Sequence, residues 1–238
     1  MKFKPLKKLF LCNTVIFFVS FLFFIIFPEV DILFSSFFFE DSLFISEKYT
    51  SIKYFRSFLK NFMIFIPLIA LIILLFHKAN KKQKVKSFLN LRMKFVLIGL
   101  ILGPIVGCGV IANWYFKDSW GRARPVHIEE FGGDKIFTPA FVKSDQCIRN
   151  CSWISGEGSA AFSFMVGTIL LKNHVFFLIN IFLGLFVSFC RIAMGGHFLS
   201  DNLFAMIFMI YLAILYKNII YICLKKKLFN VKSTRYNR

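Results

Sequence analysis

Apolar runs close to the length of a membrane crossing recur along this chain, with polar breaks between them. About 20 apolar residues are needed for a helix to span the hydrocarbon core of a bilayer. Six runs approach that length, at 9–27, 58–76, 95–116, 155–171, 175–190 and 198–215. Lipid offers no partner to a backbone amide, so a chain of such runs satisfies its amides internally, as helices. The expected fold is therefore all-α, a polytopic bundle of six transmembrane helices forming one integral-membrane domain over residues 1–238. The fourth and fifth runs are short and leave little room for tilt. With 58% hydrophobic residues and 35 phenylalanines, the composition excludes an ordinary soluble domain. The first run follows Lys2, Lys4, Lys7 and Lys8 and ends without a small-residue cleavage site, so it reads as an uncleaved anchor.

The net charge of +18 fits membrane topology better than nucleic acid, which is not an expected partner. The amino-terminal lysines, the segment 77–94, Lys172 and the basic tail 225–238 carry positive charge and no acid. The positive-inside rule makes these regions cytoplasmic, with both termini inside. Every Asp and Glu then falls on the opposite side, in 28–57, 117–158 or 191–201. Functional chemistry is expected there, on the side opposite the cytoplasm.

Three segments on that side carry chemistry. In CRIAMGGHFLSD (190–201), His197 and Asp201 are four apart and share a face at a helix start. A carboxylate accepting from one ring nitrogen leaves the other as a lone pair, which makes a nucleophile or a base. Gly195 and Gly196 allow a turn that leaves the imidazole at the mouth of the bundle, and Arg191 reaches back over the same space. In KDSWGRARP (117–125), Lys117, Arg122 and Arg124 place three cations within eight residues, a set suited to the oxygens of an anion. In NCSWISGEGS (150–159), Ser155 caps a helix whose first amides, around Gly156, Glu157 and Gly158, also favour negative charge.

These residues resemble the type 2 phosphatidic acid phosphatase family. Its signature is Lys, six residues, Arg-Pro; then Pro-Ser-Gly-His; then Ser-Arg, five residues, His, three residues, Asp. Lys117, Arg124 and Pro125 match the first part, and Arg191, His197 and Asp201 match the third at the same spacing. The resemblance implies a six-helix membrane phosphatase acting on a lipid phosphate. His197 would attack phosphorus to form a phosphohistidine, Asp201 would orient it, and Lys117, Arg124 and Arg191 would hold the phosphoryl oxygens, joined by Ser155 and Gly156 at the helix start read above as favouring an anion. That scheme requires no metal or other cofactor.

Two positions depart from the signature. Cys190 replaces the serine, and the second motif reads ISGE, so Glu157 stands where the family has the histidine that protonates the leaving oxygen. Either Glu157 is the acid, or it complements the helix dipole while another group, such as His127, supplies the proton. The segment 137–159 is similar to the bacterial lipid A phosphatase branch, which implies a lipid-linked sugar phosphate as substrate. Undecaprenyl pyrophosphate or phosphatidylglycerophosphate is the alternative within the class. An anion transporter is the alternative outside it, but would need charges deep in several spans, where these helices carry them at their ends. Cys147 and Cys151 form a disulfide or remain two thiols, since spacing alone does not decide. Residues 37–39 are either an interfacial segment that admits acyl chains or a simple anchor.

Overall fold

A computed structural model describes residues 6–82, 89–117, 119–171 and 173–236 of the chain. Lys2, Lys4 and Lys172, which entered the topology expectation, lie outside the described residues. The fold is mostly helical, with one two-residue hairpin. Helices α1 (Lys7–Ile26), α4 (Thr50–Lys82), α5 (Leu91–Gly103), α8 (Val175–Ala193) and α9 (Leu199–Tyr236) form the bundle. A π-helical stretch, Pro104–Lys117, continues α5. Five segments are long and apolar enough to cross a bilayer: Lys7–Ile26, Thr50–Asn80, Leu91–Lys117, Val175–Ala193 and Leu199–Lys225.

The bundle is inverted relative to a water-soluble one. Leu11, Phe18 and Val19 of α1 point outward, whereas Asn13 is buried and donates through Nδ2 to the Ile207 carbonyl of α9 at 3.1 Å. The Tyr211 hydroxyl donates to Thr14 Oγ1 at 2.9 Å. Lipid accepts the apolar side chains, and the polar ones find partners between helices.

The run 155–171 does not form a sixth helix of spanning length. It folds as two short helices, α6 (Gly156–Ser163) and α7 (Met165–Thr168), at the centre of the bundle, where α5, the π-helical stretch, α8 and α9 pack around them. Its composition explains the break. Ser163 Oγ donates back to the Ala160 carbonyl, a local bond that bends helices, and Thr168 Oγ1 donates across to Asn180 Oδ1 of α8 at 2.7 Å. The amides of Gly167, Leu170 and Leu171 bond three residues back, which is the tighter 3₁₀ pattern.

Small residues let the neighbouring backbones close on this central pair. Gly99 and Gly103 lie four apart on α5, and a Cβ at these positions would stand 2.6 Å from Gly167 Cα and 2.3 Å from the Ser163 carbonyl oxygen. This spacing is that of close-packed membrane helices.

A polar cap covers one end of the bundle. Helix α2 (Val30–Ser36), the hairpin of β1 (Phe39–Glu40) and β2 (Leu43–Phe44), helix α3 (Ile45–Lys48) and the loop between the π-helical stretch and α6 meet there. Phe39 pairs across the hairpin with Phe44, and both rings pack on Phe131. Phe38 and Phe39 are therefore half-buried in the cap, and only Phe37 of residues 37–39 is largely exposed.

Candidate active site

The end of α8 and the start of α9 position His197. Helix α8 stops in a Schellman arrangement: Gly195 has a φ of +59°, its amide donates to the Ile192 carbonyl at 2.8 Å, and the Gly196 amide donates to the Arg191 carbonyl at 2.9 Å. The stop leaves one short connection before α9. At its start Asp201 reaches back to the Phe198 amide at 2.8 Å, the reciprocal half of a capping box. His197 sits between the two helix ends, so their hydrogen bonds fix its backbone on both sides.

The His197 ring is more enclosed than the glycines suggest. It is 1% exposed, which corrects the expectation of an imidazole at the mouth of the bundle. Its Nδ1 stands 2.8 Å from the Ser152 carbonyl oxygen. A carbonyl only accepts, so Nδ1 carries the proton and Nε2 keeps the lone pair. The Asp201 carboxylate is farther, with Oδ2 at 3.5 Å from Nδ1. Direct selection of the tautomer by Asp201 is thus corrected to selection by a backbone carbonyl, with the carboxylate behind it. Asp201 is already engaged: its Oδ2 also accepts from Ser152 Oγ at 2.5 Å, and its Oδ1 from Arg122 Nη1 at 2.6 Å. Burial, with the charges of Arg191 and Lys117 acting in the same sense, pushes His197 from 6.5 down to about 3 against the pull of Asp201.

Arg122 does not join the other cations of its motif. It is fully buried between two carboxylates, donating to Asp201 Oδ1 and, through Nη2, to Asp31 Oδ2 at 2.8 Å. Its other bonds go to the Ser200 hydroxyl and the Thr138 carbonyl, both at 2.8 Å. Asp31, on α2, also accepts from the Ser200 amide at 2.9 Å. The two carboxylates and the arginine tie α2, the loop and α9 together beneath the histidine.

The remaining cations come together. Lys117 ends the π-helical stretch and is nearly buried; its ammonium donates to Asn150 Oδ1 at 3.2 Å and lies 3.0 Å from where a Cβ at Gly156 would be. Arg124 Nη2 donates to the Asn150 carbonyl at 2.8 Å. Arg191 is buried against Gly196, where a Cβ would stand 2.5 Å from Nη2. The Arg191 Nε has no partner among the described residues, and the carboxylate of Glu157 is 3.8 Å from Nη1. Asn150 is held between Cys147 and Cys151, which form a disulfide. Ser155 accepts from the Gly158 amide at 3.2 Å as the cap of α6, and its own amide donates to the Asp201 carbonyl at 3.2 Å.

Glu157 is engaged by a residue from another element. Arg56, near the start of α4, binds it bidentately: Nε donates to Oε2 at 2.7 Å and Nη2 to Oε1. His127 is exposed on the turn Pro125–His127. Sequence reasoning missed Arg56, Asp31, Asn150 and Ser152. Arg56 lies 101 residues from its partner, and no spacing signals such a pair. Asp31 had one visible sign, a charge inside an otherwise apolar stretch. Among the described residues, no group of three His, Cys, Asp or Glu is placed to hold a metal ion.

Residues 94–225 match the model of the PAP2 superfamily. The chain belongs to the PAP2 superfamily. It is 37% identical over 202 residues to the lipid A 4'-phosphatase of Francisella tularensis subsp. novicida, covering 82% of this chain and 88% of that protein. It is also similar to the lipid A 4'-phosphatases of Rhizobium etli, at 32% identity, and Rhizobium leguminosarum, at 28%, each over 113 residues. Those matches span 46% of this chain and 42% and 47% of the rhizobial proteins. No solved structure matches significantly. The PAP2 region contains all eight residues assigned from the motifs, but neither Asp31 nor Arg56.

Proposed function

We propose that this PAP2 protein is a multi-pass membrane phosphatase that removes a phosphate monoester from lipid A or a related lipid-linked sugar phosphate, through a phosphohistidine on His197. One observation carries this reading: the buried cations Lys117 and Arg191 stand beside the buried imidazole, the Arg191 Nε has no partner among the described residues, and the carboxylate nearest to Arg191, that of Glu157 at 3.8 Å, is already bound by Arg56. Buried positive charge that outnumbers its counter-charges is costly, and an entering phosphate dianion supplies the balance. Lys117, Arg124 and Arg191 then hold the phosphoryl oxygens, with the first amides of α6 at Gly156 beside Ser155. His197 Nε2 attacks phosphorus in line, and Ser152 and Asp201 stabilise the ring as it becomes positive. Glu157 gives a proton to the leaving oxygen and recovers one from the water that hydrolyses the P–N bond. The likeness to lipid A 4'-phosphatases supports the choice of substrate.

In this reading the chain is one domain that crosses the membrane six times, the central pair α6–α7 making the fourth crossing. Both termini are cytoplasmic and the site opens to the periplasm of a bacterial inner membrane. The lysine distribution supports this orientation, as does the Cys147–Cys151 disulfide in the cap. Phosphate release by purified protein tests the chemistry. A lipid-linked sugar monophosphate should be hydrolysed faster than a polyprenyl pyrophosphate, and Glu157→Gln should slow the monoester more, because pyrophosphate is the better leaving group. Preference for the pyrophosphate, with no effect of Glu157→Gln, would shift the assignment to the alternative substrate.

A further inference from the structure

Two observations at the site remain unused by the reaction as described. His197 is 1% exposed, yet its Nε2 has to come within about 3–3.5 Å of phosphorus for in-line attack. Side chains must therefore move when the phosphoryl group enters. The Glu157 carboxylate also lies within the cation cluster, bound by the fork of Arg56 and 3.8 Å from Arg191 Nη1. A carboxylate held bidentately by a guanidinium presents two planar oxygens, the pattern a phosphoryl group offers to the same fork.

We propose that Arg56 is a fourth phosphate-binding cation, kept in place by Glu157 in the empty site and passed to the substrate phosphate when it binds. The inference rests on the phosphatase reading above. In the empty site Glu157 is the counter-charge for Arg56 and Arg191, and Arg124 and Arg191 lie within electrostatic reach of Arg56. A phosphate dianion replaces that counter-charge with a larger one. Arg56 turns to a phosphoryl oxygen, and Glu157, now beside the dianion without its fork, takes one proton from solvent water. As the P–Nε2 bond forms and the P–O bond breaks, that proton goes to the leaving sugar oxygen. When water attacks the phosphohistidine, Glu157 accepts a proton from it, the P–N bond breaks, and its electron pair returns to Nε2. Orthophosphate then leaves, Glu157 returns this proton to solvent, and Arg56 returns to the carboxylate. This exchange lets one side chain be a carboxylate in the empty enzyme and an acid in the complex. It also recruits α4, which lies outside the matched PAP2 region, to the substrate.

Titration calorimetry of the detergent-solubilised full chain with inorganic phosphate tests the exchange without requiring turnover. Arg56→Gln should weaken phosphate binding by roughly ten- to hundredfold, as expected for loss of a charged hydrogen-bonding partner, and Arg56→Lys should recover part of it. Glu157→Gln should tighten binding, because it removes the competing carboxylate, while lowering kcat on the monoester. The inference is overturned if Arg56→Gln binds phosphate like the wild type. It is also overturned if Glu157→Gln leaves binding unchanged or weakens it, the result for a pair that only fastens α4 to α6. Should Arg56→Gln fail to fold, Arg56→Lys and Glu157→Gln still decide. A wild type that binds phosphate but hydrolyses no lipid monoester would remove the phosphatase reading while leaving these binding comparisons interpretable.

Discussion

Arg122 and Arg124 stand two residues apart in one motif and meet different environments. Arg122 enters the interior between Asp31 and Asp201, and Arg124 remains half-buried against Asn150. Removing a buried cation strands the carboxylates it neutralised, which typically costs about 3–5 kcal/mol. Arg122→Met should therefore lower the thermal midpoint in detergent sharply, whereas Arg124→Met should unfold near the wild-type temperature and raise KM. Spacing showed both arginines as cations and could not show which way each side chain points. It did single out His197 and Asp201, four apart near a helix start, although His197 lies ahead of α9 and its ring is nearer to the Ser152 carbonyl, which comes from a distant loop and had no such signature. Burial gives His197 a second measurable property. The unfolded chain binds this proton below 6.5 and the folded protein only near 3, so stability is intact above 6.5 and falls as pH drops from 6.5 toward 3. His197→Gln lacks this titration and should show a shallower loss of stability over that interval.

The central pair α6–α7 shows how an element can be legible in outline and hidden in form. Its run of small and apolar residues was long enough to suggest a span, and hydropathy registers no difference between a continuous helix and two short ones. What breaks it is local: a side-chain bond from Ser163 to its own backbone, and tight turns after Phe164. Its close packing depends on the glycines of α5. Gly99→Val should place methyl groups against the Gly167 backbone and destabilise the protein by about 1–3 kcal/mol. Gly109→Ala, on the exposed side of the π-helical stretch, meets only the Pro104 carbonyl at 3.9 Å and should be neutral or mildly stabilising. Equal thermal shifts for the two variants would contradict the packing assigned to this stripe. The hairpin was unreadable for a related reason, since its aromatic run resembles a membrane anchor until Phe131 and Phe44 are seen to enclose it.

At the scale of the whole molecule, the segregation of charge was the most informative part of the sequence. The lysine pattern set the expectation that the acids and the three motifs share one side, and the structure gathers side chains of the three motifs, Arg122, Glu157, Arg191, His197 and Asp201 among them, in one cluster. The links from outside the motifs, Asp31 from α2 and Arg56 from α4, depend on how the bundle closes and have no one-dimensional trace. Orientation is open to direct test in a background lacking Cys12, Cys108, Cys190 and Cys223. A cysteine at Asp134 should react with a membrane-impermeant maleimide in intact spheroplasts, and one appended after Arg238 only after lysis. The most direct measurement of the central claim is mass spectrometry of lipid A from bacterial cells expressing either the wild-type protein or His197→Ala at equal membrane levels. The account predicts that lipid A loses one phosphate with the wild type and keeps it with His197→Ala; identical lipid A in the two, whether intact or dephosphorylated, would contradict it.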